Sequence, residues 1–182
     1  MRIIQIGFFA LLMSCLFCNC TDSNIPCTSS IDNLITHAKT DVWTYTGGQE
    51  VLIDVNNDNN PDFKCVTEPA GNRSRKKVVP IGSNNQITGV LGSGVTVGPN
   101  TAFTGGFDFN DLGTGANAYL INQYFGVKFK VNNDTHYGWI KFSSNADGSM
   151  NSNTPIYYHN ITIEVKETGY NEGCNMPVVT GN

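Results

Sequence analysis

Residues 124–142 read YFGVKFKVNNDTHYGWIKF. Two alternating runs, FGVKFKV and HYGWIKF, flank the polar stretch Asn132-Asn133-Asp134-Thr135, which is the pattern of a β-hairpin. Centring the turn on Asn133-Asp134 sets Val131 opposite His136, Phe129 opposite Gly138, Val127 opposite Ile140 and Phe125 opposite Phe142. Directly opposed residues share a face, so one face of this hairpin is nearly all apolar. On that pairing Gly138 leaves room for the Phe129 ring. The other face carries Lys128, Lys130 and Lys141 beside Tyr137 and Trp139. A slip of one residue would turn the lysines into the core, so the inner face is strongly specified.

The chain on either side repeats the same grammar. Upstream lie VWTYT, EVLIDV, DFKCVTE, KVVPI, QITGVL, GVTV, AFTGGFDF and AYLI, separated by Gly, Asn and Pro. Downstream, after the polar stretch SSNADGSMNSNTP, comes YYHNITIEVKE, in which Ile161, Ile163 and Val165 alternate. Near the start, Ile31, Leu34, Ile35 and Ala38 recur at helical spacing, with Ser29 or Ser30 as a cap, and a strand is the rival reading. Many short strands, frequent turn signals and at most one short N-terminal helix predict an all-β fold. The expected form is an antiparallel β-sandwich of jelly-roll type. No repeat of fixed period stands out. The tail from Thr168 to Asn182 reads as a loop or an edge strand.

The first residues belong to export rather than to the fold. Met1-Arg2 precedes the apolar run IIQIGFFALLM, which is a secretory signal pattern, too short for a comfortable membrane span. Bacterial lipoprotein signals end in a Leu-x-small-Cys box, and Leu12-Met13-Ser14-Cys15 fits it. Cys20, followed by the polar TDSN, is the alternative lipidation site. Residues 1–20 are thus read as signal and lipidation region, 21–28 as a tether and 29–182 as one sandwich domain. A lipid at Cys15 or Cys20 would anchor the chain to the outer membrane of a Gram-negative envelope without spanning it; plain secretion is the alternative.

Composition narrows the functions. The chain has 182 residues with 11 Lys and Arg against 15 Asp and Glu. Removing the signal takes Arg2 and no acid, leaving 10 basic minus 15 acidic residues, or −5. That balance disfavours nucleic acid as a partner. Export permits disulfides, and Cys27 with Cys174 is the favoured pair because chain ends often lie close together. Cys65 alternates with Phe63 in a strand pattern and reads as a buried small hydrophobe.

One loop carries chemistry. Asp54, Asn56, Asp58 and Asp62 place side-chain oxygens at loop positions 1, 3, 5 and 9, and Asn60 at position 7 offers its carbonyl. Hard oxygen donors at this spacing suit Ca²⁺, which takes about six to eight oxygens in flexible geometry. The loop departs from an EF-hand because position 12 is Cys65 rather than Glu and position 6 is Asn59 rather than Gly. The competing reading is an Asn/Asp turn whose side chains bond their own backbone.

Other residues give weaker signals. Arg73, Arg75, Lys76 and Lys77 form a basic cluster that reads as a solvated segment entering a strand. His37, His136 and His159 are scattered, and no metalloprotease helix, paired Cys motif or nucleophile elbow accompanies them. Asp108, Asp111 and Glu164 are the carboxylates that a glycoside hydrolase would need to bring together. Tyr137 and Trp139 are the residues expected to face a ligand if the sandwich stacks aromatics on sugars.

Three features resemble a group of secreted bacterial proteins, among them proteins with a PEP-CTERM sorting tail and Bacteroidetes envelope proteins. They are the loop from Asp54 to Phe63, the strand Tyr124-Phe125-Gly126-Val127-Lys128-Phe129 and the segment Thr135-His136-Tyr137-Gly138-Trp139. The loop spacing also resembles the calcium loops of integrin-type propeller repeats, with Asn59 standing where those have Gly. The resemblance implies a β-sandwich and an exported location, and it supplies neither catalytic residue nor ligand. The expected function is non-catalytic binding of a glycan or surface protein by a calcium-stabilised sandwich. The alternatives are a structural envelope protein and a carboxylate-dependent glycoside hydrolase.

Overall fold

The computed structural model describes residues 33–43, 50–70, 73–109, 122–145 and 162–182. The signal region, Asp111, His159 and the segment AYLI lie outside them. The described residues form β1 (Leu34–Trp43), β2 (Val51–Ile53), β3 (Phe63–Ala70), β4 (Arg73–Pro80), β5 (Gln86–Leu91), β6 (Thr96–Val97), β7 (Phe107–Asp108), β8 (Gln123–Val131), β9 (Asp134–Asn145), β10 (Thr162–Asn171) and β11 (Val178–Val179). No α-helix occurs among them.

The hairpin is the centre of a five-stranded antiparallel sheet ordered β1-β10-β9-β8-β5. A four-stranded antiparallel sheet, β2-β3-β4-β7, faces it. Ile53, Phe63, Cys65 and Val78 of the smaller sheet pack with Phe125, Val127, Phe129, Ile140, Phe142, Ile163 and Val165 of the larger one in a single buried cluster. This is the predicted sandwich, with the predicted inner face. Phe109 joins it through edge-on contacts with Phe125 and Phe142 at 5.8 and 5.5 Å between ring centres.

The pairing within the hairpin differs from the sequence expectation by two residues. Asn132 and Asn133 form the turn, both left-handed at φ 49° and 72°. Two such residues make the type I′ turn whose twist matches a hairpin, and Asn adopts that region more readily than most. Phe129 therefore lies opposite His136, Val127 opposite Gly138 and Phe125 opposite Ile140. A shift of two leaves every side chain on its predicted face, which is why the core is unchanged.

Gly138 consequently makes room for something other than Phe129. A Cβ there would come 2.6 Å from the Gly169 carbonyl oxygen on β10, 3.0 Å from Tyr170 Cβ and 3.3 Å from Val55 Cγ1. Backbone cannot yield as a flexible side chain can. Gly138→Val should therefore destabilise by about 2–3 kcal/mol or more through overpacking. Lys128→Ala, on the other face, should cost less than about 0.5 kcal/mol. Urea unfolding of both variants checks this, and comparable losses would mean that the inner face is misassigned.

Leu34–Trp43 is a strand, so the rival reading of the stretch through Ala38 holds and the helix does not. The edge β1 pairs along β10 from Leu34↔Asn171 to Trp43↔Ile163, with a bulge between Ala38 and Asp41. Ile35, His37 and Lys39 are half-buried while Thr36, Ala38 and Thr40 are exposed. That is period-two alternation, carried partly by polar side chains and so hidden from a hydrophobic count.

The outer face of the large sheet is also covered. The two-stranded β6-β11 sheet lies over it, and Val97 and Val178 pack on Tyr124, Tyr137 and Trp139. Thr180, fully buried, holds this lid in place: its hydroxyl donates to Gly92 O at 2.7 Å and accepts from Val95 N at 2.9 Å. The molecule is thus three layers deep at this point.

Candidate metal loop and adjoining groove

The β2–β3 connection is the loop Asp54–Asp62. Its base is tied by Asp62 N donating to Ile53 O at 2.9 Å, and by register Ile53↔Phe63. The loop is pinned to the larger sheet as well. Thr168 Oγ1 donates to Val55 O at 3.0 Å, and Lys39 Nζ of β1 donates to Asn57 Oδ1 at 3.3 Å. Asn57 and Asn59 are left-handed, φ 61° and 70°, so Asn59 takes the backbone shape that the position-6 Gly takes in calcium loops.

The carboxylates bond the loop's own backbone. Asp54 accepts from Asp58 N at 3.2 Å through Oδ1 and from Asn59 N at 2.7 Å through Oδ2. Asp58 accepts from Asn60 N at 2.8 Å and from Asn56 Nδ2 at 2.9 Å. Asp62 Oδ2 accepts from Val55 N at 2.9 Å. Among the described residues no three His, Cys, Asp or Glu side chains are grouped so as to hold a metal. Asp54, Asn56, Asp58, Asn60 and Asp62 thus share one short loop in an Asx-turn arrangement, without three acidic side chains closing on one point.

Two features of the loop are not explained by turn formation. Asn56 Oδ1 is buried without a hydrogen-bond partner, a costly position for an amide oxygen. Asp62 is buried as well, and its carboxyl is pushed up from 3.8 to about 7. Burial is the main cause; the Val55 N–H opposes it, and the charges of Asp54 and Asp58 add to it. Cys65, at position 12, lies fully buried in the core and is free, as expected.

Beside the loop is a groove of about 360 Å³. Its near wall is Asp58, Asn60 and Asp62, and its far wall is the turn Ile81–Asn85 with Lys130 alongside. Asn85 fixes the two walls to each other. Its Nδ2 donates to Asp62 O at 3.1 Å and Ile81 O at 2.8 Å, and its Oδ1 accepts from Lys130 N at 3.2 Å. Ile81 N also donates to Asp62 O at 2.8 Å. Sequence reading missed this half of the site; the run Ser83-Asn84-Asn85 looks like any polar turn.

Tyr137 and Trp139 are not ligand-facing. Only 5% of Tyr137 and none of Trp139 is exposed, because the β6-β11 sheet covers them. Cys174 is disulfide-bonded, while Cys27, its expected partner, lies outside the described residues together with Cys15 and Cys20. Glu164 is ion-paired with Lys166 on β10, and Asp108 lies on β7, in the smaller sheet. In the basic cluster, Lys76 is buried in strand β4 and burial lowers its amine to about 8. His136 is a buried structural residue whose Nδ1 lies 3.2 Å from Asn171 O.

Comparison of the chain with family models, curated proteins and solved structures finds no significant match.

Proposed function

We propose that this chain is an exported, lipid-anchored protein of a Gram-negative cell envelope, a calcium-stabilised β-sandwich that binds a glycan or a surface protein without catalysis. The observation that carries the metal assignment is Asn56 Oδ1, a buried and unpartnered oxygen within a loop that also holds three carboxylates. An amide oxygen is a calcium ligand, and an ion there would offset both its lost hydration and the mutual repulsion of Asp54, Asp58 and Asp62. With position 12 lost to the core, affinity should be weak, on the order of 10⁻⁴ M. Calorimetric titration of the purified protein tests this. Calcium should give a saturable heat, and Mg²⁺ should give less because it demands a stricter octahedron. Absence of any calcium heat would remove the metal from the account.

The anchor rests on Leu12-Met13-Ser14-Cys15 after an apolar run. Metabolic labelling with an alkyne fatty acid should mark the protein, and joint replacement of Cys15, Cys18 and Cys20 should abolish the mark. Unlabelled protein released into the medium would contradict lipidation. A second reading, a structural envelope protein with no small ligand, is favoured by the burial of Tyr137 and Trp139, which removes the aromatic row from the surface.

A further inference from the structure

We infer that the groove between the Asp54–Asp62 loop and the Ile81–Asn85 turn is a subsite for a neutral, polyhydroxylated ligand, a glycan. The inference deepens the glycan-binding reading above and moves its site away from Tyr137 and Trp139.

The groove is preorganised. Asn85 locks the far turn onto Asp62 and Lys130 through two hydrogen bonds, a third closes the turn on Ile81 O, and Asp62 is itself held by Val55 N. Its volume, about 360 Å³, is at the small end of ligand pockets. Ordering of walls that are already ordered costs little on binding.

The lining selects the ligand class. Exposed Asp58, Asn60, Ser83 and Asn84 line it with groups that accept or donate, while Asp62 on the same lining is buried and the ammonium of Lys130, alongside, donates to Asn133 O at 2.7 Å. A strongly anionic ligand would meet Asp58, and a cationic one would meet Lys130. A hydroxyl is donor and acceptor at once, so adjacent hydroxyls can satisfy both kinds of wall without net charge. Pro61 and Ile81, half-buried on the same lining, offer apolar surface to the C–H face of a sugar ring. An extended peptide is a poorer fit because the walls are turns and a loop, which offer no sheet edge to pair with. The loop also lacks a position-12 carboxylate, so an ion in it would have coordination left for oxygens from outside, and three of its five candidate ligands line this groove.

The test is binding of the full-length protein, purified in detergent, to an array of neutral oligosaccharides in millimolar calcium and in EDTA. Ser83→Ala and Asn84→Ala alter exposed turn residues outside the metal loop and should leave the melting temperature and the calcium heat unchanged. Each should weaken retention about tenfold, the loss of one hydrogen bond to the ligand. EDTA should abolish retention of the wild type. If no neutral oligosaccharide is retained, or if both variants bind as wild type does, the groove assignment is overturned whatever the calcium heat. Retention that depends on Ser83 and Asn84 but not on EDTA, with no calcium heat, would instead sink the metal and keep the groove.

Discussion

Trp139→Ala should destabilise the protein by about 3–5 kcal/mol, the range for emptying a large aromatic site in a core. Trp139 lies on the face of β9 that points away from the main core, where a two-layer sandwich would leave it in water and the same change would cost less than about 0.5 kcal/mol. Here it is fully buried, edge-on to Tyr124 at 5.3 Å, beneath Val97 and Val178. The indole also fills the space above Gly169, where a Cβ would come within 2.5 Å of Cε2 and Cζ2. Gly169→Ala should therefore destabilise too, by overpacking rather than by a cavity, about 1–3 kcal/mol. Chemical denaturation of both variants is the measurement. A loss below about 1 kcal/mol for Trp139→Ala would show that β6 and β11 do not cover this face.

Trp139 also marks where the sequence stopped being legible. The inner face of the hairpin could be read because Phe125, Val127 and Phe129 alternate with polar or small residues, and that period survives a register shift of two. The turn could not be placed, because both Asn132-Asn133 and Asn133-Asp134 suit left-handed backbone and keep the same faces. The cover over Trp139 was invisible because β6, within the run GVTV, and β11, in the tail, are two residues each and come from distant parts of the chain, and nothing in either stretch says that they pair with each other. Leu34 to Ala38 left helix and strand both open for a different reason. Leu34, Ile35 and Ala38 suit a helix locally, but pairing along β10 outweighs that weak preference. The metal loop was legible as a set of donors in one stretch; the groove was not, since its walls meet only after folding.

The metal-free protein should lose stability as pH rises from about 4 to about 7. Asp62 is the group responsible. Its carboxyl is pushed from 3.8 up to about 7 in the fold, chiefly by burial, so the folded state holds the proton more tightly than the unfolded chain does. This contribution to stability is complete below the unfolded value and disappears as pH climbs through the folded one. At about 1.36 kcal/mol per pH unit, the interval amounts to about 4 kcal/mol for Asp62 alone. Asp62→Asn keeps an oxygen able to accept from Val55 N and has no charge to bury. The variant should flatten the profile across this window and be more stable than wild type at pH 8 in EDTA. Denaturant midpoints measured from pH 4 to pH 8 in EDTA provide the check, and parallel profiles for the two proteins would show that Asp62 is not the source.

Calcium reverses the electrostatic problem in the same loop, since an ion favours the ionised carboxylates that burial and mutual repulsion oppose. The most direct measurement is thermal unfolding of the protein at pH 8 in EDTA and in millimolar calcium, repeated for Asp58→Ala. The substitution removes the acceptor for Asn60 N and Asn56 Nδ2, so it lowers the midpoint in both buffers; the quantity of interest is the difference that calcium makes. Calcium at 100 times its dissociation constant should stabilise wild type by about 2.7 kcal/mol, with a clear rise in midpoint, and should leave Asp58→Ala where it was. Wild-type protein that melts identically in the two buffers would contradict the account and leave the loop from Asp54 to Asp62 as a turn held by its own backbone bonds.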